Sequence, residues 1–508
     1  MKVFWFILCL LLTFFDYAIG AKILAVFHAP SFSHYILGVK LLRAVAEKGH
    51  HVTMISPFPL KNPPKTWRDI VLEDLTKGFS FGNILNLVTM SSYRKEIMIN
   101  AAGSELVQRV VTHPSFKNVI NSNETFDLIV LERFMNEALL GLSHRFNAPY
   151  IVLSSTGYSR RTNEVVGNPG STAYTPDLYL HYGYNMTLWQ RFHNTFFYCF
   201  AMLHKHLVVL PKHRNILKET FPDAPSLEDL FYNTSLILLN AHVSVKYAVP
   251  SVPNMIDIGG FHVSPPKPLS EELKKYMDDA SDGVIYFSLG SIFLSKDMAP
   301  EIRNTILRVF SKLKQKVVWK WEDENSTFSK PPNVRFEKWV SQQDILAHPN
   351  LKLFITHGGL LSNIEAIYHG VPLLVIPIFA EQFMNAADIE SLGYGLKLYY
   401  ADITEENFSY LVNELLNNTR YKENIKLRSK ILHDQETKPM DRALWWIEYV
   451  IRHKGAPHLK SVTLNLKWYQ YFLLDVLALA IVIIVFTVAV TVICLKRMFI
   501  KRQKPKTD

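Results

Sequence analysis

The stretch from Trp339 to Gln382, WVSQQDILAHPNLKLFITHGGLLSNIEAIYHGVPLLVIPIFAEQ, admits few folds. An indole and a polar segment precede LKLFIT, a short apolar run of strand length. HGG makes a loop, LSNIEAIYHG carries helical periodicity, and LLVIPI is a second strand ending on FAEQ. Gly358 and Gly359 let the backbone approach a ligand closely, and the helix start beyond them offers unpaired N–H groups and a positive dipole end. That pairing suits a phosphate. Glu365, two helical turns further on, is a carboxylate able to hold a ribose diol. Glu381 and Gln382 come just after the second strand, where open α/β sheets place ligand contacts. An indole for a base, a helix start for phosphates, a carboxylate for ribose and a polar pair for a sugar describe a nucleotide-sugar site.

This stretch resembles the signature of the UDP-glycosyltransferases, the glucuronosyl- and glucosyltransferases that conjugate small lipophilic molecules. The resemblance implies that Trp339 packs on uracil, Gln342 helps hold the nucleoside and His357 meets the diphosphate. It implies further that Glu365 binds ribose and that Glu381 and Gln382 bind sugar hydroxyls. The spacing from Trp339 is gap-free through all of these. Two positions depart from the family pattern: Glu381 stands where Asp is usual, and Leu361 where many animal members have Asn. The first lengthens a sugar contact and the second removes one.

A chain of 508 residues holds two ordinary domains with substantial cores. Residues 1–20 combine Lys2, the run VFWFILCLLLTFF and a small-residue end, the pattern of a cleavable secretory signal. Residues 476–495 carry no charge over 20 positions, long enough to cross a bilayer. The basic tail 496–508 then predicts a cytosolic C-terminus. Its six basic residues, set against Asp508, supply half of the formal net charge of +10, so the basic balance reflects topology and gives no support to nucleic-acid binding. Of the three cysteines, Cys9 lies in the signal and Cys494 in the apolar span, which leaves Cys199 unpaired in the lumenal portion. Six N-x-S/T sequons begin at Asn123, Asn185, Asn233, Asn325, Asn407 and Asn417. Lys504 and Lys506 have the spacing of a dilysine retrieval signal. Together these features predict a type I single-pass protein of the endoplasmic reticulum with lumenal catalytic domains.

The mature chain opens with a strand, a loop, an amphipathic helix ending at Gly49 and a second strand, HVTMISP. FDLIVLERF and APYIVLSS continue as strands, so a parallel, doubly wound sheet is expected over residues 21–245. Within it, LWQRFHNTFFYCFAMLHKHLVVL is an aromatic, basic helical stretch suited either to the lumenal membrane face or to packing over an acceptor pocket. The run 246–280 holds five prolines and is expected as an interdomain linker. The α/β rhythm restarts over 281–460, the expected UDP-sugar-binding domain. By resemblance the whole is GT-B: two Rossmann-like domains facing a cleft, with 21–245 binding the acceptor and a transmembrane helix at the C-terminal side.

Sugar transfer needs a base for the acceptor and stabilisation of the departing diphosphate. Ser33-His34 sits where the first helix begins, and that position disfavours imidazolium, so His34 is expected neutral near pH 7. The pair is similar to the family's Ser-His, whose His is the general base; His28 at the strand end is the alternative. The family places an Asp five residues beyond the Asp of FD, which here is Glu132, an acid one methylene longer. Glu132 is the expected partner of His34, with Asp127 the alternative. Ser291 resembles the family's second diphosphate contact. No D-x-D pair occurs in the chain, so no metal or other cofactor is expected and the UDP-sugar is a co-substrate. Two rival functions share this fold: a lumenal binding protein without turnover, and a lipid-linked sugar transferase. The acceptor and the oligomeric state are not legible, although a homo-oligomer is compatible.

Overall fold

The computed structural model describes residues 20–77, 84–291, 293–323 and 328–502. Seven parallel strands form the first sheet: β1 (Lys22–Val26), β2 (His51–Ser56), β3 (Trp67–Val71), β4 (Leu128–Glu132), β5 (Tyr150–Ser154), β6 (Leu236–Leu239) and β7 (Met255–Asp257). Their order is β3-β2-β1-β4-β5-β6-β7. Six form the second: β8 (Val284–Ser288), β9 (Lys316–Lys320), β10 (Val334–Glu337), β11 (Leu351–Thr356), β12 (Leu373–Val375) and β13 (Gly395–Lys397), in the order β10-β9-β8-β11-β12-β13. The central strands are buried on both faces, which is why their sequences read as unbroken apolar runs. In each sheet the chain starts in the middle, runs to one edge, then returns past its first strand. This reversal leaves a crevice at β1/β4 and another at β8/β11.

Seven helices frame the cleft or lead away from it: α1 (Phe32–Glu47), α2 (Ser92–Thr112), α3 (Leu188–His204), α4 (Leu360–His369), α5 (Gln382–Ser391), α6 (Pro439–Arg452) and α7 (Leu474–Arg502). α1 and α4 are the crossovers that leave the two crevices. α6 does not stay with the second sheet. Its Ala443, Leu444, Ile447 and Val450 join Leu37, Leu41 and Val45 of α1 in the core of the first unit. Each buried Leu, Ile or Val contributes roughly 1.5–3 kcal/mol, so this helix ties the two halves together. The proline-bearing run 246–280 likewise supplies β7 to the first sheet and a helix, Glu271–Asp278, beside the second.

The uncharged run 476–495 lies within one continuous stretch of helix, Leu474–Phe499, exposed on all sides and long and apolar enough to cross a membrane. Among the sequons, Asn123, Asn185, Asn233, Asn407 and Asn417 are all exposed. Asn325, residues 1–19 of the signal and Lys504 and Lys506 lie outside the described residues.

Candidate active site

The carboxyl ends of the two sheets face each other across a cavity of about 500 Å³. His34, Ser291, Trp339, Gln342, His357, Gly359, Glu365, Glu381 and Gln382 all line it. Glu132 and Gly358 stand one layer behind. A two-strand crevice on each side therefore brings together residues nearly 350 positions apart, as His34 and Glu381 are.

On the first side, β1 ends and α1 begins with Ser31 as its N-cap, which puts His34 in the first turn. Glu132 is the last residue of β4, the neighbour of β1. Register alone therefore places its carboxylate over the start of α1. The Nδ1 of His34 bonds Glu132 Oε1 and lies 3.4 Å from Ser155 Oγ at the end of β5. With Nδ1 engaged, Nε2 is the nitrogen left for the cavity. Phe134 meets the imidazole edge-on, with centroids 5.2 Å apart.

At His34 the helix start is not the main electrostatic influence. Burial opposes the imidazolium, but the charge and hydrogen bond of Glu132, helped by Glu381 across the cleft, outweigh it and raise the His34 pKa. A carboxylate in contact is a stronger influence than the partial charge of a helix start. The two alternatives fall away on position. Asp127 lies at the opposite end of β4, where its Oδ2 accepts from the Lys22 N–H at 2.7 Å. His28 is fully buried, neither ring nitrogen has a partner, and burial drives its pKa down to about 4.

On the second side, His357 comes directly after β11 and sits over the turn after β8. A Cβ on Gly290 would come within 2.7 Å of its ring, and one on Gly359 within 2.6 Å. Both positions must therefore be glycine for the imidazole to lie there. Gly290 and Gly358 also have positive φ, +87° and +84°. Burial, with the nearby Lys320, lowers His357 to about 4, so its imidazole is neutral and can donate one hydrogen bond. The fixed positive charge belongs to Lys320, which sequence reasoning missed. Its ammonium donates to Gly290 O and Glu322 Oε1, both at 2.8 Å, and lies 5.5 Å from the ring centre of Trp339. A lysine ending the buried strand KVVWK was the available signal.

Trp339 is 60% exposed, with Phe32 of the other unit 5.9 Å away edge-on. Glu365 is buried, and its two oxygens accept from Gln342 Nε2 at 2.6 Å and Gln343 Nε2 at 3.0 Å. Gln342 also donates to Ser362 Oγ at 2.9 Å. Burial raises Glu365 to about 7 against the pull of both amides and of Lys40. Lys40, the second residue missed, reaches from α1 to Ser264 Oγ at 2.7 Å. It recurs four positions after Ile36, and both line the cavity.

Ala380 adopts a left-handed φ of 52°, a conformation costing of order 1 kcal/mol without glycine, immediately before Glu381 on the cavity wall. Burial raises the Glu381 pKa, partly offset by its own backbone, His34 and Lys246. Gln382 Oε1 accepts from the N–H groups of Ile378 and Phe379 at 2.9 and 3.0 Å. Only its Nε2 is therefore available to a sugar. On the side of His34 the wall carries apolar Ile99, Phe134, Met135, Leu178 and Tyr179 beside Arg133, Ser155, Thr156 and Arg161. No residue of α3 is itself in the cavity lining, but its buried Phe197 and Ala201 share a core cluster with Ile99, Met135 and Tyr179 of the cavity wall. Among the described residues no three His, Cys, Asp or Glu side chains are grouped to hold a metal ion.

Two facing Rossmann-like units with a cleft between their carboxyl ends define a GT-B glycosyltransferase. The chain superposes on a calicheamicin glycosyltransferase, CalG4, with a TM-score of 0.59 at 17% identity, covering 85% of this chain and 99% of that one. It superposes on a UDP-glucose: anthocyanidin 3-O-glucosyltransferase in complex with UDP with a TM-score of 0.57 at 16% identity and the same coverage. The family model for UDP-glucoronosyl and UDP-glucosyl transferases matches residues 68–507, and the chain belongs to that family. UDP-glycosyltransferase UGT5 of Dactylopius coccus is 35% identical over 94% of this chain and 91% of its own length. Human UDP-glucuronosyltransferase 2B10 is 30% identical over 88% of each.

Proposed function

We propose that this glycosyltransferase moves a sugar, glucose in preference, from a UDP-sugar to the hydroxyl of a small lipophilic acceptor, with inversion and without a metal, as in detoxification. The observation that carries the reading is the His34–Glu132 pair facing Glu381 across the cavity. His34 Nε2 takes the acceptor proton as the acceptor oxygen attacks the anomeric carbon from the side away from the diphosphate. The bond from that carbon to the diphosphate oxygen breaks, and UDP leaves with the electron pair. Glu132 stabilises the imidazolium. His357, the Gly359 amide and Ser291 receive the diphosphate as hydrogen-bond donors, and Lys320 offsets its charge. Trp339 stacks on the base, Glu365 takes the ribose diol, and Glu381 with Gln382 Nε2 orients the sugar. The apolar residues of the wall on the side of His34 support a lipophilic acceptor.

The apolar helix Leu474–Phe499 supports a single membrane span, and the exposed sequons support a lumenal body held in the endoplasmic reticulum. The domain roles divide accordingly: 21–245 for the acceptor, 281–460 for the nucleotide sugar. Acceptor-dependent release of UDP from microsomal protein, offered a panel of phenols and sterols, tests the reading. Release with simple phenols is expected. UDP binding without release would favour a binding protein, and activity confined to polyisoprenoid phosphates would favour a lipid-linked transferase.

A further inference from the structure

The carboxylate of Glu365 is reached from the other unit by a continuous set of hydrogen bonds. Gln343, whose amide donates to one of its oxygens, is held by the proline-bearing run 246–280. Its Oε1 accepts from the Ser264 N–H at 3.0 Å, and its Nε2 also donates to the His262 carbonyl at 3.4 Å. Ser264 Oγ in turn accepts from Lys40 Nζ at 2.7 Å. The route therefore starts on α1 of the first unit and ends at the only carboxylate of α4. Lys40, Ser264, Gln343 and Glu365 all line the cavity.

The same neighbours decide the charge of Glu365. A ribose diol offers two O–H donors, and only the ionised carboxylate is acceptor at both oxygens. Burial works against that form, with the two amides in opposition. Three other ionisable groups face Glu365 from different elements: Lys40 on α1, His262 on the proline-bearing run with Nε2 3.7 Å away, and Tyr286 on β8. Burial drives His262 down to about 4 and Tyr286 upward, so both are neutral near pH 7. Lys40 is the cation of the set. The influence is mutual: Glu365, with Asp344, supports the Lys40 charge against burial, Lys267 and Arg43. The bond to Ser264 fixes the ammonium in place, on the helix that carries His34 in its first turn.

We propose that Lys40 is a positioning residue for the donor: supplied by the acceptor unit, it fixes the charge and the alignment of the carboxylate that takes the ribose, so the nucleotide-sugar site is complete only when both units contribute. The proposal rests on the reading of Glu365 as the ribose ligand. Lys40 acts through Glu365 and takes no part in the transfer step. Its consequence is that donor binding depends on the same helix that presents the base.

The test is calorimetric titration of the full chain in detergent, without acceptor, using UDP-glucose, whose doubly esterified diphosphate does not titrate near pH 7. Lys40→Met keeps most of the side-chain stem and removes the charge. Affinity is expected to fall about tenfold at pH 7. The acid limb of the affinity profile should move to higher pH, because Glu365 then loses its ionised form at a higher value as pH falls. Lys40→Arg should restore both. Glu365→Gln should weaken binding and abolish the limb, and adding Lys40→Met to it should cost little more. In turnover, Lys40→Met should raise KM for UDP-glucose while kcat at saturating donor stays within about twofold. Undiminished affinity in Lys40→Met would overturn the proposal. So would equal losses in Lys40→Met and Lys40→Arg with the limb unmoved, the mark of a packing role. Unchanged affinity in Glu365→Gln would instead overturn the ribose assignment beneath it.

Discussion

The imidazole of His34 bonds through Nδ1 to a carboxylate 98 positions further along the chain, on a residue almost wholly withdrawn from solvent. The parallel pairing of β1 and β4 creates the contact, because both strands end at the same level and Glu132 closes one of them. The longer arm of Glu, where the family uses Asp, does not break it. One Glu132 oxygen makes the bond and the other has no hydrogen-bond partner, so the carboxylate's hydrogen bonding is directed at the imidazole.

That contact makes a pH prediction. The His34 pKa is raised above its ordinary 6.5, so the base form, and with it kcat/KM, is lost as pH falls through a value above 6.5. In Glu132→Gln the main raising charge is gone and burial is opposed only by the more distant Glu381, so the acid limb should move to lower pH while kcat falls. Glu132→Asp should keep most of both. In His34→Ala the rate should fall about 10²–10⁴-fold with UDP affinity retained, because the base acts on the acceptor and not the nucleotide. A pH–rate profile for each variant, with UDP binding measured calorimetrically, checks the set. An unmoved limb in Glu132→Gln would return the carboxylate to a structural role.

His357 gives a second prediction because its position depends on an absent side chain. Gly359 has an ordinary negative φ of −60°, so Gly359→Ala adds no backbone strain. Its methyl would nevertheless sit 2.6 Å from His357 Nε2, and the ring must swing away. A hydrogen bond to a charged group contributes about 1.5–3 kcal/mol, so UDP affinity should drop about 10–100-fold with little change in melting temperature. His357→Ala should lose a similar amount. Additive losses in the double variant would show that the glycine acts by some route other than the imidazole.

Much of this was legible in the sequence, for identifiable reasons. Doubly buried strands such as LIVLE and VIYFS cannot hide in a parallel sheet, and the glycine turns mark the crevices. The short edge strands β3, β10 and β13 were not legible, because exposed edges carry mixed polar residues and three to five positions show no period. The docking of α6 on the first core was hidden for a different reason. Amphipathy at Ala443, Leu444 and Ile447 says that a face is buried but not against what. Within the site, Trp339 and Glu365 were visible by spacing. Lys320 and Lys40 were not, since each sits in an ordinary strand or helix pattern and acquires meaning only when the two units face each other. The upward pull on the His34 pKa was not legible from the helix start alone, because Glu381 acts on it from the other unit.

Donor choice turns on the charge already present in the cleft. Glu381 places a carboxylate in the part where the sugar would lie, and burial raises its pKa, a sign that negative charge is disfavoured there. A glucuronyl donor would add a second carboxylate to the same region, which requires a cation or strong donors to offset it. Lys246 does influence Glu381, but its buried ammonium has no hydrogen-bond partner, and it does not line the cavity. Val249, in the proline-bearing run, is not on the cavity wall either. UDP-glucose should therefore have the larger kcat/KM with a good phenolic acceptor. Glu381→Gln removes the charge and keeps the shape, so it should raise use of UDP-glucuronic acid relative to UDP-glucose by about tenfold, the effect of about 1.4 kcal/mol. The two specificity constants, measured for wild type and variant, decide the matter. A wild-type preference for UDP-glucuronic acid would overturn the assignment, and an unchanged ratio in Glu381→Gln would show that its source is not this carboxylate.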